Sequence, residues 1–198
     1  MTVQEKKEFC SKWADSEVAR KSLEDLDYFS CLYGRYEAKM IRYIRRLVFV
    51  SQEEAEDILQ ESFIKVWRYL NSFDSAMKFS SWIYRIVHNE AISFWRKKKS
   101  FGKDQQVTLD ENLYKNESGE TENPAETEYR DLLTHEVLDL LPLKYRTVLV
   151  LRFMEGMSYG DISDVLKMPE GTVATQINRA KKAFAKIAGK KHYSFDLQ

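Results

Sequence analysis

The chain has 198 residues and a mass of 23.4 kDa, room for one domain or two small ones. Its 31 Lys and Arg are balanced by 31 Asp and Glu, a zero net charge that argues against a nucleic-acid binder only while the sum is taken as the distribution. Hydrophobic residues at 43% with only 7 Gly and 3 Pro exclude wholesale disorder and collagen-like classes, and favour long regular elements.

The N-terminus carries no apolar stretch resembling a signal peptide, and the longest apolar runs, Leu47–Val50 and Val148–Leu151, are far shorter than the roughly 20 residues of a membrane span. Cys10 and Cys31 are widely spaced and form no CxxC, so neither a disulfide framework nor a zinc site is expected, and a reducing cytosol is the default. His88, His135 and His192 are scattered and read as surface or packing residues. No metal site and no cofactor is expected, and with no P-loop, metal triad or nucleophile elbow nothing supports catalysis.

Residues 1–26 match no readable pattern. From Tyr28 to Phe49, Phe29, Leu32, Tyr33, Tyr36, Met40, Tyr43, Ile44 and Leu47 recur at spacings of three and four, the period of an amphipathic helix. Ser51 with Glu54 forms a capping box for a second helix, whose Leu59, Phe63, Val66 and Leu70 face the core. Asp57, Gln60 and Glu61 share another face, which on pattern alone reads as solvated. A loop rich in Asn, Ser and Asp follows. The third helix, from about Ser80 to Lys98, buries Ile83, Val87, Ala91 and Phe94. It shows Arg85, Asn89, Ser93 and Arg96 on one side before ending in Lys97 and Lys98. Such a polar row with a cationic end suits phosphates and base edges, although a basic helix C-terminus also complements the helix dipole.

Charge is segregated. Ser51–Glu61 holds five acids and no base, Lys78–Lys103 seven cations against Glu90, Asp104–Asp131 nine acids against Lys115 and Arg130, and Glu170–Lys191 six cations against Glu170. The stretch 102–127 has isolated apolar residues without a period and reads as a flexible acidic linker.

Beyond it, Leu132, Leu133, Val137, Leu138 and Leu141 make a short helix ending before Pro142. Lys144–Phe153 makes another, with Val148, Leu149, Leu151 and Phe153 apolar, closed by Gly156. Ser158 and Asp161 cap the next helix, in which small Ser163 allows a close crossing. Lys167–Pro169 is a turn with Met168 as an inward plug. A final helix opens at about Glu170, burying Val173, Ile177, Ala180, Phe184 and Ile187 and projecting Thr172, Thr175, Gln176, Arg179 and Lys182. This is a helix-turn-helix pattern: short polar side chains early on the second helix reach base edges in a major groove, and later cations meet phosphates.

Taken together, the two halves resemble bacterial RNA polymerase sigma factors of the extracytoplasmic-function group. Ala55–Trp67, Phe79–Asn89, Leu141-Pro142, Arg152–Tyr159 and Pro169–Val173 carry the resemblance, in order, over roughly Tyr28–Ala188. It implies an all-α fold of two small helical domains: an extension (1–26), a region 2 domain (27–101), the linker (102–127), a region 4 helix-turn-helix domain (128–188) and a tail (189–198). It implies that Asp57, Gln60 and Glu61 bind the β′ clamp of core RNA polymerase, with the β flap a second polymerase contact. It further implies that Asn71, Ser72, Phe73, Asp74, Ser75 and Lys78 receive a flipped base of the minus-ten element, with Arg85, Asn89, Arg96, Lys97 and Lys98 on the adjoining strand. Thr172, Thr175, Gln176, Arg179 and Lys182 then read the minus-thirty-five duplex. Promoter DNA, core polymerase and an anti-sigma protein are the implied partners, in the cytoplasm. The family usually has Gly where Lys167 stands, so a less tightly left-handed turn is expected here. The competing reading is a helix-turn-helix regulator whose first half is a sensor or dimerisation module.

Overall fold

The computed structural model describes residues 10, 12–101 and 134–191, and every element among them is helical. The expected linker 102–127 lies outside the described residues, as do residues 1–9 and 192–198. The chain divides into two compact units, the bulk of one drawn from residues 1–104 and the bulk of the other from residues 105–198.

The first unit contains α1 (Asp15–Ser22), α2 (Asp27–Val48), α3 (Gln52–Tyr69) and α4 (Phe79–Phe101), with a short 3₁₀ turn at Leu70–Ser72. The three-and-four periodicity of α2 is the core of this unit: Leu32, Met40, Tyr43, Ile44 and Leu47 are fully buried. Each such aliphatic side chain stabilises the fold by about 1.5–3 kcal/mol. Facing them are Ile58, Leu59, Phe63 and Val66 of α3 and Ile83, Val87 and Ala91 of α4. Ser51 caps α3 as its sequence predicts. Its hydroxyl accepts the Glu54 N–H at 3.2 Å, and the Glu54 carboxylate accepts the Ser51 N–H at 3.2 Å.

Helix α1 falls within the stretch expected to be an extension, and it packs along α2, burying Val18 and Ala19. Its return toward α2 corrects the reading of the cysteines. Cys10 and Cys31 are joined in a disulfide, with Cα atoms 6.3 Å apart. A separation of 21 residues says nothing about distance once the chain has doubled back.

The second unit begins with a helix over residues 134–139 and continues with α6 (Leu143–Leu149), α7 (Tyr159–Leu166) and α8 (Glu170–Lys190); residues 134–139 are α5. Arg146 of α6 is buried and holds the end of α5. Its Nε donates to the Leu138 carbonyl at 2.9 Å, and Nη2 donates to the Asp139 carbonyl at 2.7 Å and carboxylate at 3.1 Å. Burial pushes its pKa down to about 10, with Asp139 opposing the shift, so the cation persists at neutral pH.

The helix expected through Phe153 does not run on as one α-helix. Val150–Met154 widens into a π turn, closed by the Glu155 N–H on the Val150 carbonyl at 3.0 Å. The extra residue rotates Phe153 out of the core, leaving it 43% exposed beneath the Lys181 ammonium. Gly156 then takes a left-handed φ of 67°, and the Ser158–Asp161 capping pair opens α7 as expected.

In the turn between α7 and α8 the structure corrects a second expectation. Lys167 is fully left-handed, φ 52°, although it carries a Cβ. The Ser163 hydroxyl, donating to the Met168 carbonyl at 2.6 Å, fastens the turn in this conformation, and Met168 is half-buried within it. A left-handed non-glycine residue costs about 1–2 kcal/mol, part of which glycine returns as chain entropy in the unfolded state. Lys167→Gly is therefore expected to stabilise the second unit by about 0.5–1 kcal/mol, read as a higher midpoint in thermal unfolding followed by circular dichroism.

Candidate functional site

The acidic face of α3 lies where the sequence places it. Asp57, Gln60 and Glu61 are all exposed, on a helix anchored at its start by the capping box and along its length by buried Ile58, Leu59 and Phe63. The structure adds Ile64, which sits on the same face and is 45% exposed. Trp67 flanks it, its ring held edge-on against Phe29 with centroids 5.1 Å apart. An exposed aliphatic and an exposed indole beside carboxylates make an anchor with a charged rim, the layout of a protein-binding surface. The signal for Ile64 was its place seven residues after Asp57, two helical turns along the same stripe.

The loop after α3 is built on three aromatic rings. Phe73 packs against Phe79 with centroids 5.2 Å apart and against Trp82 at 5.3 Å, and Phe79 meets Trp82 at 5.5 Å. Phe79 and Trp82 are buried while Phe73 keeps one side open. The sequence reading placed Phe73 in this loop and did not include Trp82 as its third ring. Its spacing of three from Phe79 on one helix was the available signal.

Around the rings stand Asn71, Ser72, Asp74, Ser75 and Lys78, all exposed. The Ser72 hydroxyl donates to the Tyr69 carbonyl at 2.7 Å, and the Asp74 carboxylate accepts the Ala76 N–H at 2.9 Å. Ser72 and Asp74 are thus partly committed to shaping the loop. Such a loop, with polar groups over an aromatic floor, is chemically able to stack and hydrogen-bond an unpaired base.

Along α4, Arg85, Asn89 and Arg96 line one face. Asn89 and Arg96 are exposed; Arg85 is half-buried, with its guanidinium 3.6 Å from the Met77 sulfur. The cationic end does not converge on that face. Lys98 turns back to α3 and pairs with Glu54 at 2.6 Å, and Lys97 lies about a quarter-turn away from Arg96. His88 proves to be a packing residue. Its Nδ1 lies 2.9 Å from the Tyr43 hydroxyl, and burial, with the Arg96 charge next, pushes its pKa down to about 4. A neutral His88 fixes the rotation of α4 against α2 and so aims Asn89 and Arg96 outward.

In the second unit α8 presents Thr172, Thr175, Arg179 and Lys182 to solvent, while Val173, Ile177, Ala180 and Phe184 fasten its other side. Gln176 is half-buried, on the edge of the face. The Thr175 hydroxyl donates to the Gly171 carbonyl at 2.8 Å, and its oxygen can still accept. Among the described residues no group of His, Cys, Asp and Glu is arranged to hold a metal. No helix among them is long and apolar enough to cross a membrane.

A helix-turn-helix unit with a polar, cationic second helix, paired with a unit carrying an aromatic loop, a basic helix and an exposed acidic face, has the make-up of a DNA-directed transcription factor. Family models sharpen this: Sigma-70 region 2 matches residues 32–101 and Sigma-70, region 4 matches residues 131–184. The chain is 35% identical over 175 residues to the RNA polymerase sigma-H factor of Pseudomonas aeruginosa, covering 85% of this chain and 90% of that one. It is 36% identical over 169 residues to the ECF RNA polymerase sigma factor SigW of Bacillus subtilis, covering 82% and 89%. The chain belongs to the RNA polymerase sigma factors of the extracytoplasmic-function (ECF) group, which bind RNA polymerase and direct promoter-specific transcription initiation.

Solved structures agree on the fold. One, of CnrH in complex with the cytosolic domain of CnrY, superposes with a TM-score of 0.66 at 21% identity, covering 90% of this chain and 99% of that one. The sigma factor RpoE of Bartonella quintana, in complex with the anti-sigma factor NepR, gives 0.63 at 20% identity, covering 81% and 96%. The region 2 match accounts for the first unit, which the competing reading had left as a sensor or dimerisation module.

Proposed function

We propose that the two units divide promoter recognition between them. The first docks on the β′ clamp through Asp57, Gln60 and Glu61, with Ile64 among them, and captures the melted non-template strand of the minus-ten element. A base leaves the stack to enter the Phe73, Phe79 and Trp82 loop, and Asn89 and Arg96 with Arg85 follow the adjoining strand. The second unit lays α8 in the major groove of the minus-thirty-five duplex, where Thr172 and Thr175 meet base edges and Arg179 and Lys182 meet phosphates. The observation that carries this division is the aromatic loop: three mutually packed rings rimmed by polar groups suit an unpaired base, and duplex recognition has no use for them.

The acidic stretch 102–127 tethers the two units and follows the polymerase RNA-exit path, where its carboxylates mimic nucleic-acid charge. Through the β flap the second unit is held upstream. Polymerase supplies the chemistry and its metal, and the factor makes no bonds of its own. The chain works in the cytoplasm, where polymerase and promoters are. Because CnrH was captured with the cytosolic domain of CnrY and RpoE with the anti-sigma factor NepR, an anti-sigma protein is the expected regulator of this chain as well.

The zero net charge then has a physical meaning. Basic DNA-facing segments are offset by an acidic linker and an acidic docking face, so free DNA affinity is weak and falls steeply with salt until polymerase fixes both units at promoter spacing. The test uses the second unit's reader. Arg179→Ala should weaken binding to a minus-thirty-five duplex about equally across sequences and lower the slope of log affinity against log salt by about 1, as losing one phosphate contact does, and should leave affinity for core polymerase in place. Unchanged duplex binding in a fluorescence anisotropy titration would remove α8 from the reading.

A further inference from the structure

Cys10 and residues 12–22 are fastened to α2 by more than helix packing. The Arg35 guanidinium donates to the carbonyl of Cys10 and, at 2.9 Å, to that of Trp13, and it pairs with the Asp15 carboxylate. Asp15 also accepts from the Tyr36 hydroxyl, and the Trp13 ring stacks on Tyr28 with centroids 5.7 Å apart. The Cys10–Cys31 disulfide closes this set of contacts covalently, one helical turn before Arg35 and Tyr36. On its other side, Tyr36 packs edge-on against Phe79, centroids 5.8 Å apart, and Phe79 is one of the three rings of the base-capturing loop. A continuous line of contacts therefore runs from the disulfide through Asp15 and Tyr36 to the aromatic loop.

We propose that the Cys10–Cys31 pair is a redox-controlled clasp on the minus-ten capture site. In its oxidised form the clasp holds Asp15 against Tyr36, and Tyr36 backs Phe79. Reduction frees Cys10 and residues 12–22 to leave α2, and Phe79 loses its backing. The compartment makes a permanent staple an unsuitable explanation: in a reducing cytosol, disulfides are transient and catalytic or redox-sensing. Burial of both sulfurs adds a gate, because reductant reaches them only when the segment opens, so the clasp responds to sustained rather than momentary change.

The chemistry balances with ordinary reagents. A dithiol such as dithiothreitol attacks the S–S bond. Its two sulfurs end in a cyclic disulfide, and its two electrons and two protons leave Cys10 and Cys31 as thiols. Hydrogen peroxide reverses this: one thiolate becomes a sulfenic acid, and the second thiol displaces water from it. The pair thus loses two electrons and two protons, and peroxide becomes two waters.

This inference rests on the reading of the loop as the base-capture site, so its test separates the two. The full-length protein is prepared oxidised and dithiothreitol-reduced, the two states being verified by thiol alkylation and mass spectrometry. Hydrogen exchange is followed at residues 79–82. With each redox form assembled on core polymerase, binding is measured to a single-stranded oligonucleotide carrying the non-template sequence upstream of a mapped transcription start. Reduction should raise exchange at residues 79–82 and weaken oligonucleotide binding about fivefold, a typical coupling between sites. Cys31→Ser should sit at the reduced level and ignore dithiothreitol, and Cys10→Ser should do the same. If exchange rises but neither redox form binds the oligonucleotide, the clasp stands and the base-capture reading falls. If exchange and binding are equal in the two redox states, the clasp is overturned, whatever the loop binds.

Discussion

Arg146→Ala should unfold the second unit while leaving the first intact. Arg146 is a buried cation whose guanidinium serves the carbonyls of Leu138 and Asp139, with the Leu141 carbonyl at 3.5 Å, where α5 ends. Removing it strands those acceptors in a region largely closed to water, at about 1–3 kcal/mol for each group left unpaired. The Asp139 ion pair adds little, because that carboxylate is half exposed and solvent screens it. The sum is about 3 kcal/mol or more, against roughly 0.05–0.15 kcal/mol of stability per residue in a domain of this size. One substitution therefore removes much of what the unit has. Arg146→Lys should recover part of the loss, since an ammonium reaches one carbonyl but cannot fork across two. All four tryptophans, Trp13, Trp67, Trp82 and Trp95, lie in the first unit. In a urea titration of the full chain the tryptophan signal of the variant should keep its wild-type midpoint. The circular dichroism signal should gain an early transition. Coincident wild-type curves for both signals would show that α5 does not depend on Arg146.

Arg146 also marks where sequence reading stops. In the sequence it is one cation on a short helix, and helical cations are usually solvated; only the end of α5, brought against it by folding, makes it a cap. The same holds for Cys10 and Cys31, whose spacing suggested two independent thiols until α1 folded back along α2. Local features fared differently. The periods of α2 and α8, the Ser51–Glu54 and Ser158–Asp161 caps and the left-handed Gly156 are written within a few residues of each other, and the structure forms each of them. Lys167 shows the limit from the other direction: its backbone is what the turn requires, while its side chain is not what that backbone prefers. At the site, the exposed polar residues were legible because helical spacing puts them on one face. Trp82 and Ile64 were not, because an aromatic or aliphatic residue at helical spacing is more often core than surface.

Reversing charge on the acidic face of α3, the side proposed to dock on polymerase, should give a large functional loss while sparing the fold. Asp57 and Glu61 are both exposed, one turn apart, past the capping box and clear of the α2 contacts made by Ile58, Leu59 and Phe63. Arg is a better helix former than Asp and no worse than Glu, so Asp57→Arg with Glu61→Arg should keep stability within about 0.5–1 kcal/mol of wild type. Glu61→Arg does bring a cation beside Lys65, but Lys65 already turns toward Glu90 on α4. The consequence for docking is of another order. Under the proposed docking, an acidic, amide-bearing face calls for a basic surface on the clamp, and like charges brought together across an interface cost several kcal/mol, with each 1.4 kcal/mol worth about tenfold. Affinity for core polymerase should fall by about a hundredfold or more. Ile64→Ala should weaken it less, as loss of an apolar anchor within a charged rim does. Binding of the minus-thirty-five duplex by α8 should not change, which separates a docking defect from a damaged protein. The wild-type interaction should weaken as salt rises, and the variant's should strengthen where screening relieves repulsion. If the double variant bound core polymerase as wild type does, the acidic face of α3 would be what its residue pattern alone suggests, a solvated side of a helix, and the docking surface would have to be sought elsewhere on the first unit.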